Sequence, residues 1–67
     1  MNEIIFTVEA DEDGYTAKAD NYSIFTEADD LETLKEMIKD AVNCHFDENQ
    51  LPKFIRLNIV RYEVIAL

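Results

Sequence analysis

Two short clusters in this 67-residue sequence hold residue types capable of chemistry. The first is Asp11, Glu12 and Asp13 directly before Gly14, an arrangement that matches part of a calcium-binding loop. A complete loop needs further oxygen ligands and a bidentate acid at its twelfth position, and Gly14 comes one ligand too early. A glycine after polar residues suits a tight hairpin turn, so we expect a turn here and no metal.

The second cluster is Cys44 and His45, near the end of a predicted helix. Neighbouring side chains on a helix point about 100° apart, so one metal ion would use only one of them well, and the two would not form a nucleophile–base pair. We expect Cys44 to pack as a small apolar side chain and His45 to lie partly buried at the helix end. A single glycine also excludes a phosphate-binding loop. The sequence therefore predicts no catalytic, metal or cofactor site, and we expect a protein that is not an enzyme.

The charge is strongly acidic and unevenly distributed. Fifteen acids oppose six bases, for a net charge of −9, and all but one of the acids lie within residues 1–50. An acidic surface repels phosphate backbones, so direct binding of nucleic acid is not expected. The same charge attracts a basic protein and speeds the encounter with it. Asp11, Glu12 and Asp13 are the candidate partner-facing acids.

Length and composition place the chain among small, single-domain proteins. One domain over residues 1–67 buries only about 60% of its unfolded surface. The single cysteine excludes an internal disulfide and suits a reducing compartment. No apolar run approaches about 18 residues, and the first residues are acidic. We therefore expect a cytoplasmic protein with neither a membrane span nor a signal peptide.

Hydrophobic periodicity predicts the elements that must position these residues. Alternating apolar residues over 3–10, 15–20 and 22–27 predict three strands joined by tight turns, that is, an antiparallel meander. Helical spacing predicts a helix over about 30–46, which Asp29 or Asp30 can cap. A strand follows this helix. A right-handed crossover then places the last strand parallel to the first. The expected fold is α+β, a two-layer β-β-β-α-β arrangement of strand order 3-2-1-4 with the helix on one face.

The last strand is predicted to run over residues 55–67, longer than the other three. Strict alternation would place Arg61 and Glu63 on the buried face, so either a bulge shifts the phase or the strand leaves its own domain. An apolar, unpaired end is an aggregation hazard that a second copy would cover. We expect a homodimer, and its predicted interface comprises Tyr62, Val64, Ile65 and Leu67. The helix also leaves one sheet face open, where Ile5 and Phe25 are expected to be exposed.

The run over residues 11–46 resembles the HicB-like antitoxin domain, and the resemblance covers residues 3–46 and, in the last strand, about 54–60. The matching motifs are Asp13-Gly14-Tyr15, Ile24-Phe25, Asp30-Leu31-Glu32 and Ala41, in the family's order and spacing. Nearly the whole chain is similar to a subgroup of stand-alone, short HicB-like proteins. Members of that subgroup often carry names referring to a 2-oxoisovalerate dehydrogenase subunit, an activity that nothing in this sequence supports.

The resemblance implies a partner, because the usual partner of the family is a small, basic ribonuclease toxin. Full-length HicB proteins add a DNA-binding module, for which these 67 residues leave no room, so operator binding is not expected. The leading hypothesis is therefore a non-catalytic protein-interaction domain. The alternative is a small-ligand-binding protein, or an enzyme subunit, that uses the open face of the sheet.

Overall fold

The computed structural model describes residues 2–67 as one four-stranded sheet with a helix on one face. The elements are β1 (Glu3–Asp11), β2 (Gly14–Ala19), β3 (Phe25–Ala28), α1 (Leu31–His45), a 3-10 turn (Glu48–Gln50) and β4 (Phe54–Arg61).

The sheet has the order β3-β2-β1-β4. β1 pairs antiparallel with β2 and parallel with β4, and β2 pairs antiparallel with β3. The predicted α+β fold is confirmed in strand order, strand direction and the single covering helix. The crossover through α1 accounts for the parallel pair, because a chain that returns by a helix enters the sheet in its original direction.

The core forms between one face of the sheet and one stripe of the helix. Alternate residues of β1, such as Phe6 and Val8, are fully buried. Leu34, Ile38 and Val42, spaced four apart, cover them from α1. The rest of the buried cluster comes from the start of β1, from β2 and from the residue before β3: Ile4, Ala17, Ala19 and Ile24.

Both ends of α1 are fixed by its own sequence. Asp30 is the N-cap, where its carboxylate accepts hydrogen bonds from the backbone N–H of Thr33 (2.8 Å) and from the hydroxyl of Thr33 (2.9 Å). At the other end, Phe46 adopts an extended conformation and donates its backbone N–H to the carbonyl of Val42. The predicted helix over 30–46 is confirmed to within one residue at each end.

Two strand boundaries differ from the sequence prediction by more than one residue. The third strand begins at Phe25 rather than at residue 22. The backbone N–H of Ala19 donates to the carbonyl of Ile24, so residues 20–24 are used to reverse the chain. The last strand ends at Arg61, since β1 offers its final acceptor at Ala10, whose carbonyl receives the N–H of Tyr62.

The register between β1 and β4 is continuous from Glu3–Phe54 to Ala10–Arg61, so no bulge shifts the phase. Arg61 stays on the helix side of the sheet and is exposed there. Residues 62–67, termed the tail here, continue as an extended, exposed segment. The tail gives the molecule its length of 52 Å against 18 and 17 Å, and a radius of gyration of 13.2 Å where a compact chain would have about 11 Å.

Within residues 2–67, no helix has both the length and the apolar character needed to span a membrane.

Candidate functional site

The turn between β1 and β2 is built by Asp11, one of the acids singled out from the sequence. One oxygen of its carboxylate accepts the backbone N–H groups of Asp13 (2.8 Å) and Gly14 (3.2 Å). Gly14 has a φ of 141°, a conformation that side-chain-bearing residues rarely adopt. The turn predicted here is present, and Asp11, Glu12 and Asp13 are all exposed on it.

The fold brings a second group of acids to the same end of the sheet. β2 starts beside the end of β3, where Tyr15 pairs with Ala28, so the β1–β2 turn lies next to the junction between β3 and α1. The two regions enclose an open depression of about 770 Å³. Six carboxylates line it, and together they are termed the acidic rim: Glu9, Asp11, Asp13, Glu27, Asp29 and Asp30.

The depression is not purely polar. Tyr15, Met37 and Tyr62 also line it. Met37 and Tyr62 are 40% and 58% exposed, which are high values for large apolar side chains. Glu9 and Glu27 face the open side of the sheet and Tyr15 faces the helix, so the carboxylates flank the end of the sheet on both sides. Carboxylates beside apolar side chains suit lysine and arginine, whose apolar stems pack on such a surface while their charged ends meet carboxylates.

Sequence reasoning identified two members of the acidic rim and missed the others. From the sequence, Asp29 and Asp30 are candidate helix caps, and Glu9 and Glu27 lie in predicted strands. The available signal was topological, because in an antiparallel meander the first turn and the end of the third strand share one end of the sheet.

The pKa of the Asp30 carboxyl is lowered from its ordinary value, primarily because the backbone N–H of Thr33 donates to it and then because the Thr33 hydroxyl does. The shift therefore reflects helix capping. The pKa of Lys39 is raised by its hydrogen bond and charge contact with Glu36, 2.9 Å away on the exposed face of α1.

The rim carboxylates also do not converge as a metal site. Among the residues that the structure describes, no group of three or more His, Cys, Asp or Glu side chains is arranged to hold a metal ion.

Two predictions about the helix end were wrong. Cys44 is exposed instead of packed, because it lies two positions beyond Val42 and so points away from the buried stripe. His45 is exposed rather than partly buried. Its ring contacts Phe46 edge-on, with centroids 4.9 Å apart, and Tyr22 at 5.7 Å. Tyr22 and Phe46 pack against the core at this end, which leaves His45 outside them.

The tail lies beside the acidic turn. Tyr62, Val64 and Ile65 line a shallow groove together with the Asp11–Asp13 turn. Val64 and Ile65 are 89% and 84% exposed, and Leu67 is fully exposed. The predicted interface residues are therefore apolar and accessible, as a role in pairing requires.

The open face of the sheet is mixed in character. Ile5 and Phe25 are exposed there, as predicted, at 37% and 63%. The polar groups contact one another at the surface: the side chain of Arg56 lies 3.0 Å from that of Glu3, and the hydroxyl of Thr7 donates to Asp20. The alternative hypothesis, a small-ligand site on this face, requires a pocket with converging polar groups.

Comparison with known proteins identifies the family. Over its whole length the chain is 50% identical to a UPF0150 protein of Thermotoga maritima, covering 96% of that protein. Over 50 residues it is 62% identical to a UPF0150 protein of Archaeoglobus fulgidus, covering 75% of this chain and 76% of that protein. This two-layer α+β chain therefore belongs to the UPF0150 family. No protein-family model and no solved structure matches it.

Proposed function

We propose that this protein is a non-catalytic, HicB-like protein-interaction domain that binds a small, basic ribonuclease of the toxin type in the cytoplasm. The observation that carries the proposal is the acidic rim, in which six carboxylates and several apolar side chains line an open depression at one end of the sheet. The chain as a whole has a net charge of −9, so the field around the depression favours a basic partner over a nucleic acid.

An inhibitor of this kind needs only to occupy its partner. A basic ribonuclease binds RNA phosphates with lysine and arginine side chains. An acidic rim can contact the same side chains and so compete with RNA for them. This mechanism needs no catalytic group on the inhibitor.

The test uses a purified small, basic protein encoded beside this chain, and titration calorimetry at 0.05 and 0.5 M NaCl. We expect tight binding at low salt and a steep loss at high salt, because exposed charges are screened over a Debye length of about 10 Å at 0.1 M. RNA cleavage by the partner should stop when the complex forms. Binding of duplex DNA should stay below detection.

A matched pair of variants separates the rim from overall charge. Asp13→Asn with Glu27→Gln removes two charges from the rim, and we expect it to weaken binding. Asp47→Asn with Glu48→Gln removes two charges beyond the far end of α1 and should leave binding unchanged. The proposal would be contradicted by an affinity that does not change with salt concentration, or by an equal loss of affinity in the two double variants.

A further inference from the structure

β4 lies at the edge of the sheet, and the helix does not cover it fully. α1 lies nearest to β3 and β2. A groove of about 220 Å³ remains between α1 and β4, lined by Ile38, Ile55 and Leu57 with Lys35 and Lys39. Further along the same face of β4, Ile59 is 46% exposed. The apolar side chains of β4 on the helix face are therefore only partly covered.

The outer edge of β4 also offers backbone groups for pairing. The N–H groups of Phe54 and Tyr62 point towards β1, where they donate to Asn2 and Ala10. Because successive residues of a strand direct their N–H and C=O groups to opposite edges, the residues between them alternate. Eight backbone N–H and C=O groups thus point outward, from Ile55, Leu57, Ile59 and Arg61. Among the described residues no strand lies beyond β4 to pair with them.

We propose that β4 pairs antiparallel with β4 of a second copy around a two-fold axis through Asn58, giving one continuous eight-stranded sheet. Both helices then lie on the same face, and the apolar side chains of the two β4 strands meet in the gap between them. The assembly does not depend on the proposed basic partner.

The register centred on Asn58 makes complementary contacts at the centre and the ends of the paired strands, and its one mismatch sets Arg61 opposite Ile55. Leu57 lies opposite Ile59 of the second copy, and Phe54 opposite Tyr62. Just outside the paired strands, Lys53, at the bend that precedes β4, comes beside Glu63 of the second copy, an opposite-charge pair.

Neighbouring registers that keep the same side chains on the helix face are poorer. An axis through Leu57 sets Arg61 opposite Lys53, two like charges. An axis through Arg56 sets that residue opposite itself. An axis through Ile59 places Glu63 opposite Ile55 and leaves Lys53 without an acid. Charge thus selects the Asn58 register from these choices.

The first test is a charge exchange measured by sedimentation equilibrium. We expect Lys53→Glu alone or Glu63→Lys alone to weaken the dimer by about tenfold, since each change acts twice in a two-fold interface. The double variant should return to within about threefold of the parent. Glu27→Lys makes the same charge change on β3, at the opposite edge of the sheet. It alters the acidic rim but should leave the dimerisation constant unchanged.

The second test locates the axis by cross-linking in a Cys44→Ser background. Across a pair without backbone hydrogen bonds the Cα atoms lie about 4.5 Å apart, which a disulfide can span. Asn58→Cys should therefore form a covalent dimer on mild oxidation. The control is Lys18→Cys on β2. Lys18 and Asn58 both pair with Thr7, from opposite sides of β1, and Lys18→Cys should form no covalent dimer. A parent chain that is monomeric at tens of micromolar, single variants that dimerise normally, or equal cross-linking of both cysteines would overturn the proposal.

Discussion

At the residue scale, Gly14 has the tightest backbone requirement of the acidic turn. A Cβ at this position would lie 2.8 Å from the carbonyl oxygen of Ala28, and the backbone φ is 141°. We expect Gly14→Ala to lower the free energy of unfolding by about 1–3 kcal/mol, because both strain and a backbone clash oppose the side chain. Urea denaturation measures the change.

The control is Glu12→Ala in the same turn, which we expect to change stability by less than about 0.5 kcal/mol because the side chain is exposed. Equal stabilities of the two variants would contradict the strain assigned to Gly14.

Asp30 gives a prediction about pH. Its pKa is lowered in the folded state, so its charged form stabilises the fold above the ordinary carboxyl pKa, 3.8, and that contribution disappears as the pH falls through the lowered value. Asp30→Asn should therefore be less stable than the parent at pH 7. The difference should shrink as the pH falls below about 4. Thermal unfolding at several pH values measures it.

Asp40→Asn is the matched control, because it removes a charge from the exposed side of α1 away from the cap. If Asp40→Asn changed stability with pH as much as Asp30→Asn does, the effect would come from net charge and not from capping.

At the element scale, α1 is the only helix that covers the sheet in residues 2–67, and its buried stripe is narrow. Ile38 is 1% exposed. We expect Ile38→Asp to abolish folding, because it buries an unpaired charge in a core with little stability to spare. Circular dichroism detects the loss.

Lys35→Ala, three positions earlier on a more exposed part of α1, should cost less than about 0.5 kcal/mol, since its contact with Glu32 is long at 3.5 Å and solvent-exposed. A folded Ile38→Asp variant would show that the helix presents another face to the sheet.

The helix and the strand order could be predicted from the sequence because their signals are local. Leu34, Ile38 and Val42 repeat at helical spacing, and handedness limits the crossover to one arrangement. The acidic rim could not be predicted in the same way. The rim includes Glu9 and Glu27, which lie near each other only because the sheet folds as it does. Hydrophobic periodicity along the sequence does not indicate this proximity. The extent of the last strand depended likewise on where β1 ends.

At the scale of the whole molecule, the tail contributes apolar surface to contacts outside the chain. Deleting residues 62–67 should leave the core intact, since none of these residues belongs to it. We expect the shortened chain to be monomeric or insoluble, because the edge of β4 then lacks its partner contacts. Sedimentation velocity compares it with the full chain. A shortened chain that still forms a soluble dimer would contradict this role for the tail.

The contact between Arg56 and Glu3 joins residues 53 positions apart, whereas the meander closes through short turns. Contacts between near neighbours cost less loop-closure entropy and form earlier. β1, β2, β3 and α1 can therefore assemble while the β4 side of β1 is still bare. We expect β4 to dock last, and until it does, the edge of β1 that it will cover has unpaired backbone groups. At high concentration, two folding chains could pair through this unpaired edge of β1 before either β4 has docked. The rate at which β4 pairs with β1 therefore determines how much of the chain misassembles.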